Sequence, residues 1–275
     1  MSYQIQEINR RIQANPKEFV DACDAAYAEK IERAARAIAE NVRTCPIVLL
    51  SGPSGSGKTT TAMKIAEALR GMGIGSQSLA MDDYFRTVNP RTAPRTPEGD
   101  IDFESPACLD MDLLGKHLNA LARGEEIHLP RYNFVTRVQS GPIGRPMRLG
   151  KDEVVVCEGI HALNDDIAAY CPDAFRLYIS ARSVVVDGDG QEIFKGTWMR
   201  LLRRLVRDSN FRGTPAAATL DMWANVRRGE KRFISPFKER ANLMFDSSFP
   251  CEVSIMKNFA APLLAAVPEG AERYA

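Results

Sequence analysis

One short segment limits the folds open to this chain. Residues 52–59 read Gly52-Pro53-Ser54-Gly55-Ser56-Gly57-Lys58-Thr59, the pattern G-x-x-x-x-G-K-[ST]. It follows the apolar run Ile47-Val48-Leu49-Leu50. It precedes residues 60–70, where Ala62, Ile65, Ala66 and Leu69 recur at helical spacing before Gly71. A run apolar at every position predicts a parallel strand covered on both faces. Strand, glycine-rich turn and helix in that order are the context that gives the pattern its meaning. The glycines let backbone N–H groups turn inward around phosphate oxygens, and the helix N-terminus adds its positive end. Lys58 is then expected to meet the β- and γ-phosphates, and the Thr59 hydroxyl to ligate Mg²⁺, with Thr60 on the same first turn. The reading is a nucleoside triphosphate cradle. The motif alone does not separate a kinase from an ATPase or a GTPase.

The remaining pattern alternates strands with helices. Residues 76–81, 154–157 and 175–179 read as strands, and residues 109–123, 198–208 and 216–227 as helices. Residues 87–102 hold Pro90, Pro94, Pro97 and Gly99 and read as a loop. This predicts an α/β protein, a P-loop three-layer α/β/α sandwich with a mostly parallel sheet. Residues 1–43 read as helical instead. Ile5, Ile8 and Ile12 share a face, and after Asn15-Pro16 the positions Val20, Cys23, Tyr27, Ile31, Ala34, Ile38 and Val42 recur at steps of three and four. This stripe has to cover either the body of the same chain or a second subunit, and its Ala and Cys favour the same chain over a coiled coil or homo-oligomer. The expected division is an N-terminal helical extension over 1–43 and a kinase-type domain over 44–275.

In an open α/β sheet, ligands sit beyond the C-terminal strand ends. Glu158 directly follows Val154–Cys157, and Asp82-Asp83 follow Leu79-Ala80-Met81. Glu158 is the candidate to complete a Mg²⁺ shell, and Asp82 the candidate to orient an attacking hydroxyl beside it. Arg200, Arg203, Arg204, Arg207 and Arg212 crowd one stretch, with Arg200, Arg203 and Arg207 on one helical face. Guanidinium groups suit phosphate oxygens, so this is the expected Arg-rich lid; the alternative is a solvated face pairing with acids such as Asp208. Tyr132 and Phe134, two apart on an extended segment, project to one side and can stack on a planar base.

Composition removes several classes. Formal net charge is +1, which gives no broad attraction to nucleic acid or anionic membranes. Six cysteines are scattered without a CxxC pair, and His117, His128 and His161 lack ligand spacing, so no metal cluster is expected. Asp187-Gly188-Asp189-Gly190 reads as a tight turn. No apolar run approaches a membrane span. Residues 1–43 carry seven basic and seven acidic side chains, unlike a targeting segment. A cytoplasmic location follows by elimination.

Six ordered blocks carry a family resemblance: residues 52–60, Met81-Asp82-Asp83-Tyr84-Phe85, Asp102-Phe103-Glu104-Ser105-Pro106, residues 129–134, Val156-Cys157-Glu158-Gly159-Ile160 and residues 200–213. The chain resembles the uridine kinase and phosphoribulokinase family of P-loop kinases, and among them the bacterial uridine kinase-like nucleoside kinases. The resemblance implies MgATP as phosphoryl donor and a small-molecule hydroxyl as acceptor. It implies Asp82 as the catalytic aspartate near the metal, Glu158 as the Mg²⁺-associated acid, and Arg200, Arg203 and Arg207 as lid residues. Phe103, Tyr132 and Phe134 then line a nucleoside pocket, with Asp83 and Phe85 beside them. Glu104 stands where an Asp commonly holds the ribose hydroxyls, and Arg137 where the family has a histidine. These departures lie on the acceptor side. Three readings stay open: a nucleoside kinase, a kinase whose acceptor is an anionic sugar phosphate or hydroxy acid held by Arg137, and a nucleotide-sensing module without catalysis.

Overall fold

A computed structural model describes residues 1–134, 136–141 and 144–268. Residues 269–275 of the expected kinase-type domain lie outside the described residues. The chain opens with a short strand, β1 (Ser2–Gln4), where the sequence pattern reads only helix. Two helices follow, α1 (Ile5–Ala14) and α2 (Pro16–Asn41). Asn15 caps α2 by accepting a hydrogen bond from the Glu18 N–H, and Pro16 fills the first turn, where its missing N–H costs nothing.

The next elements build the main sheet: β2 (Ile47–Ser51), α3 (Lys58–Gly71) and β3 (Gly75–Ala80). Then come α4 (Met111–Ala122) and four short strands: β4 (Ile127–His128), β5 (Arg131–Asn133), β6 (Val138–Ser140) and β7 (Pro146–Met147). They form two small ladders, β4 with β7 and β5 with β6. The long strand β8 (Glu153–Glu158), the short helix α5 (Asp165–Ala168) and β9 (Phe175–Ser180) return to the sheet. β10 (Val184–Val186) and β11 (Glu192–Phe194) form a hairpin whose turn is held by the Asp187 carboxylate, which accepts from the N–H groups of Asp189 and Gln191. β1 pairs with β10. The chain continues through α6 (Gly196–Arg212), α7 (Ala216–Gly229), β12 (Leu243–Asp246) and α8 (Glu252–Ala265).

Among the described residues, the central sheet has the order β12-β9-β2-β8-β3, and every pair is parallel. Its middle strand explains the layering. All five residues of β2 are buried, and successive side chains point to opposite faces. Ile47 and Leu49 join Val155, Cys157 and the α4 residues Leu114, Leu118 and Leu121 on one side. Val48 and Leu50 join Val154, Val156, Ile65 and Leu69 on the other.

The N-terminal stripe belongs to that second side. Tyr27, Ile31, Ala34, Ala35 and Ile38 pack into it, so α2 supplies part of a helical layer of the sandwich. Val20, at the start of the stripe, packs with Ile8, Phe19, Cys23, Val185 and Cys251 in a separate small cluster. All six cysteines are free and buried. Among the described residues no helix is long and apolar enough to cross a membrane.

Because Ile38 is 1% exposed and faces the sheet, Ile38→Ala should lower unfolding stability by about 2–5 kcal/mol. Denaturant melts of wild type and variant should each show one transition. Separate melting of residues 1–43 would contradict the packing described here.

Candidate active site

Register places the acids. Glu158 pairs with Leu50 of β2 on one side and Ala80 of β3 on the other. The loop after β2, the turn Met81–Tyr84 after β3 and Glu158 itself therefore meet at one end of the sheet. Gly159 permits this closeness, since a Cβ there would lie 2.4 Å from the Met81 sulfur.

The loop at 52–57 is held from outside. Gly52 and Gly55 have φ of 158° and 72°, and added Cβ atoms would lie 2.0 Å from the Ile179 carbonyl oxygen and 2.4 Å from that of Arg200. Gly57, with φ 82°, precedes the first turn of α3 in the left-handed region that favours glycine. Its carbonyls are taken one by one. Lys58 Nζ donates to those of Gly52 (2.9 Å) and Pro53 (3.2 Å). Arg200 Nη1 donates to Ser54 (3.3 Å), and Arg203 Nη1 to Gly55 (3.3 Å). Ser247 Oγ donates to Ser56 (2.6 Å), and Thr61 Oγ1 to Gly57 (2.8 Å).

Arg200 and Arg203, expected to face phosphates, are engaged here with loop carbonyls and acids. Arg200 is 1% exposed, and its Nη2 donates to both carboxylate oxygens of buried Glu230 (2.8 and 3.1 Å). Arg203 donates from Nε and Nη2 to the two carboxylate oxygens of Glu252 and from Nη2 also to the Ser247 carbonyl (2.8 Å). Unpaired guanidinium groups this deep would carry a large desolvation cost, so each is matched to an acid. Arg207 differs: it pairs with Asp208 yet keeps 35% of its side chain exposed, and its charge acts on Lys58. Asp208, 1% exposed, gathers Arg204, Arg207 and Arg212 around it.

Lys58 lies in a conflicted field. Burial drives its ammonium down to about 8, against the pull of Glu158 and Asp82 and helped by Arg207 and Arg200. The Thr59 hydroxyl donates to Glu158 Oε1 at 2.7 Å. Asp82 lies in the turn after β3, near enough for its charge to act on Lys58. Asp83 points elsewhere. Burial raises its carboxyl, and the Tyr132 backbone N–H opposes this.

The acceptor-side residues assemble from three segments. Phe85, Tyr132 and Phe134 form a ring cluster with centroid distances of 5.3, 5.8 and 4.9 Å. Tyr132 is buried, while Phe134 is 60% exposed and leaves this surface open. Arg137 stacks over Phe103 at 5.4 Å and holds a left-handed backbone, φ 56°, rare for a residue with a side chain. Glu104 packs against Gly229, where a Cβ would lie 2.4 Å from its own. Burial pushes the Glu104 carboxyl up to about 7; Arg204 opposes the shift, and Lys58 and Asp82 also act on it.

Several residues of this site carry no role in the sequence reading. Arg204 Nη1 donates to Ser54 Oγ at 2.9 Å and so links the loop to the surroundings of Glu104. Its signal was its place in the arginine cluster. Ser247, Glu230 and Glu252 brace the loop from elements far along the chain, and no local spacing announces them. His161 is 2% exposed next to Phe233, and burial holds it down to about 4, as a neutral ring.

Comparison with known proteins adds three findings. Residues 47–253 match the model of the Phosphoribulokinase / Uridine kinase family. A uridine kinase of Deinococcus deserti is 30% identical over 199 residues, 72% of this chain and 86% of that protein. One of Halobacterium salinarum is 28% identical over 196 residues, 71% and 77%. Among solved structures, a putative fructose transport system kinase from Silicibacter sp. TM1040 aligns with TM-score 0.56 and 18% identity, covering 78% of this chain and 98% of that one. A D-glycerate 3-kinase from Cryptococcus neoformans aligns at 0.50 and 13%, covering 74% and 88%. At such identities these structures speak to the fold alone.

Because phosphates favour the charged ammonium, MgATP should bind with proton uptake at Lys58, and its affinity should fall as pH rises through about 8. Titration calorimetry in buffers of different ionisation enthalpy measures this uptake. Release of protons, or affinity independent of pH up to 9, would contradict the environment described for Lys58.

Proposed function

The chain belongs to the phosphoribulokinase/uridine kinase family, and from that premise we propose that it moves the γ-phosphoryl group of MgATP onto the 5′-hydroxyl of a nucleoside. One observation carries the reading. The outward-tethered loop, Lys58, Glu158 and Asp82 meet at the ends of β2, β8 and β3, beside an aromatic surface that includes a buried carboxyl group.

The donor set suits Mg²⁺. Thr59 Oγ1 and Glu158 Oε1 are hard oxygen ligands 2.7 Å apart. Among the described residues no group of three or more His, Cys, Asp or Glu side chains gathers to make an all-protein cage. Mg²⁺ characteristically takes one or two protein oxygens and completes its shell with phosphates and water. When bound, it would neutralise charge building on the phosphates.

The chain's own groups do the rest. The N–H groups of the loop and of the first turn of α3 hold the phosphates. Lys58 exchanges its carbonyl partners for phosphate oxygens. Asp82 orients the acceptor hydroxyl and takes its proton. Arg207, the partly exposed cation near Lys58, offsets charge on the transferring group. Phe85, Tyr132 and Phe134 offer faces for a base, and Glu104 accepts hydrogen bonds from ribose hydroxyls.

The stacked Arg137 favours a second reading for the acceptor. A guanidinium at that rim suits an anionic sugar phosphate or hydroxy acid. Under this reading Arg137→Glu raises KM for the anionic acceptor far more than for ATP.

ADP formation by enzyme and MgATP should accelerate on adding nucleosides. Lys58→Ala and Asp82→Asn should each cut kcat by about 100-fold or more. Nucleotide binding with no response to any hydroxyl acceptor would contradict the proposal. Glu104 is ionised only above about 7 and loses accepting capacity when protonated. Acceptor KM should therefore rise as pH falls through 7, and Glu104→Gln should flatten that profile while raising KM about tenfold. An unchanged profile in the variant would remove Glu104 from this role.

A further inference from the structure

The N-terminal extension lies outside the segment 47–253 that matches the family, yet it reaches the phosphate loop. Tyr27 of α2 is 5% exposed, stacked on Phe249 at 4.4 Å and edge-on to Phe245 at 5.3 Å. Its hydroxyl lies 2.7 Å from Thr61 Oγ1. Thr61 Oγ1 donates to the Gly57 carbonyl at 2.8 Å, so its proton is committed and Tyr27 is the donor in the first bond. A peptide unit is planar, with its C=O and N–H on opposite edges. A tether on the Gly57 carbonyl therefore sets the direction of the Lys58 N–H, one of the groups aimed at the phosphates. The neighbouring tether comes from the same quarter. Ser247, which holds the Ser56 carbonyl, adjoins Asp246, whose own carbonyl accepts from Lys30 of α2 at 3.0 Å.

We propose that Tyr27 is a positioning residue of the nucleotide site: its hydroxyl fixes Thr61, Thr61 fixes the Gly57 carbonyl, and residues 1–43 thereby aim the loop. This rests on reading residues 52–59 as the triphosphate cradle. Packing alone does not call for the hydroxyl. The cluster around Tyr27 is otherwise Ile, Leu, Val, Ala and Phe, in which Phe would pack as well. Hydrogen bonds in series strengthen one another in a dry interior, and the Tyr27–Thr61–Gly57 chain ends on the loop residue that immediately precedes α3.

Tyr27→Phe removes one oxygen and keeps both ring contacts. Calorimetry on the full chain should find MgATP bound about three- to tenfold more weakly, the worth of one such hydrogen bond, with acceptor KM unchanged. Ile31→Val shortens a buried side chain in the same cluster without touching the loop, and should leave MgATP affinity at the wild-type value even if it lowers the melting temperature. Thr61→Val interrupts the same series of bonds and should weaken MgATP at least as much as Tyr27→Phe, which keeps the test open if the tyrosine variant folds poorly. Wild-type affinity in Tyr27→Phe, or equal weakening by Ile31→Val, would overturn the proposal. A wild-type chain that binds no MgATP would overturn both the proposal and the reading of the cradle. Tight wild-type binding that Tyr27→Phe leaves intact would remove the proposal alone.

Discussion

The site depends on where six consecutive carbonyl groups point. Residues 52–57 each give their carbonyl oxygen to a donor, and four of those donors, on Arg200, Arg203, Ser247 and Thr61, lie in helices or strand ends packed against the loop. For residues 54–57 the donors stand outside the loop, and a planar peptide then turns the next N–H the opposite way; the carbonyls of Gly52 and Pro53 face Lys58 instead. Amides turned inward in this way suit an anion, which is the reading proposed for the loop. Glycine at 52, 55 and 57 is the local requirement, because backbone and φ leave no room for a Cβ at the first two and a left-handed conformation is needed at the third.

Charge is distributed around this cradle by a consistent rule. Cations behind the loop are paired with acids, Arg200 with buried Glu230 and Arg203 with partly buried Glu252. Such pairs add little net stability, because desolvation consumes most of their attraction; their value is in fixing geometry. At the front, among the described residues, no acid is paired directly with Lys58, which donates to two loop carbonyls; burial drives Lys58 toward neutrality and Glu104 toward protonation.

Much of the fold was legible because it is periodic. β2 and β8 hold unbroken apolar runs, β9 is apolar from Leu177 to Ile179, and the stripe from Val20 to Val42 announces one buried helical face. β1 and the two strands flanking the turn at 187–190 were not legible: three-residue strands are too short to show alternation, and the partner of β1 lies far along the chain. At the site, residues bound to a strand end or a glycine pattern were readable, as with Glu158, Asp82 and Lys58. The arginines show the limit. Helical spacing put Arg200, Arg203 and Arg207 on one face, but only tertiary packing decides that the first two turn to carbonyls and acids. Glu230, just past α7, and Glu252, at the start of α8, have no pattern of their own, and Tyr27 was disguised as one more apolar position in a stripe.

A crystal structure with Mg²⁺ and a non-hydrolysable ATP analogue tests the central claim most directly. The account predicts phosphate oxygens on the N–H groups of residues 55–59, the carbonyls of residues 54–57 still held by Arg200, Arg203, Ser247 and Thr61, and Thr59 and Glu158 beside a single Mg²⁺ ion. Phosphates seated elsewhere, or a loop whose carbonyls turn inward when the analogue binds, would contradict it.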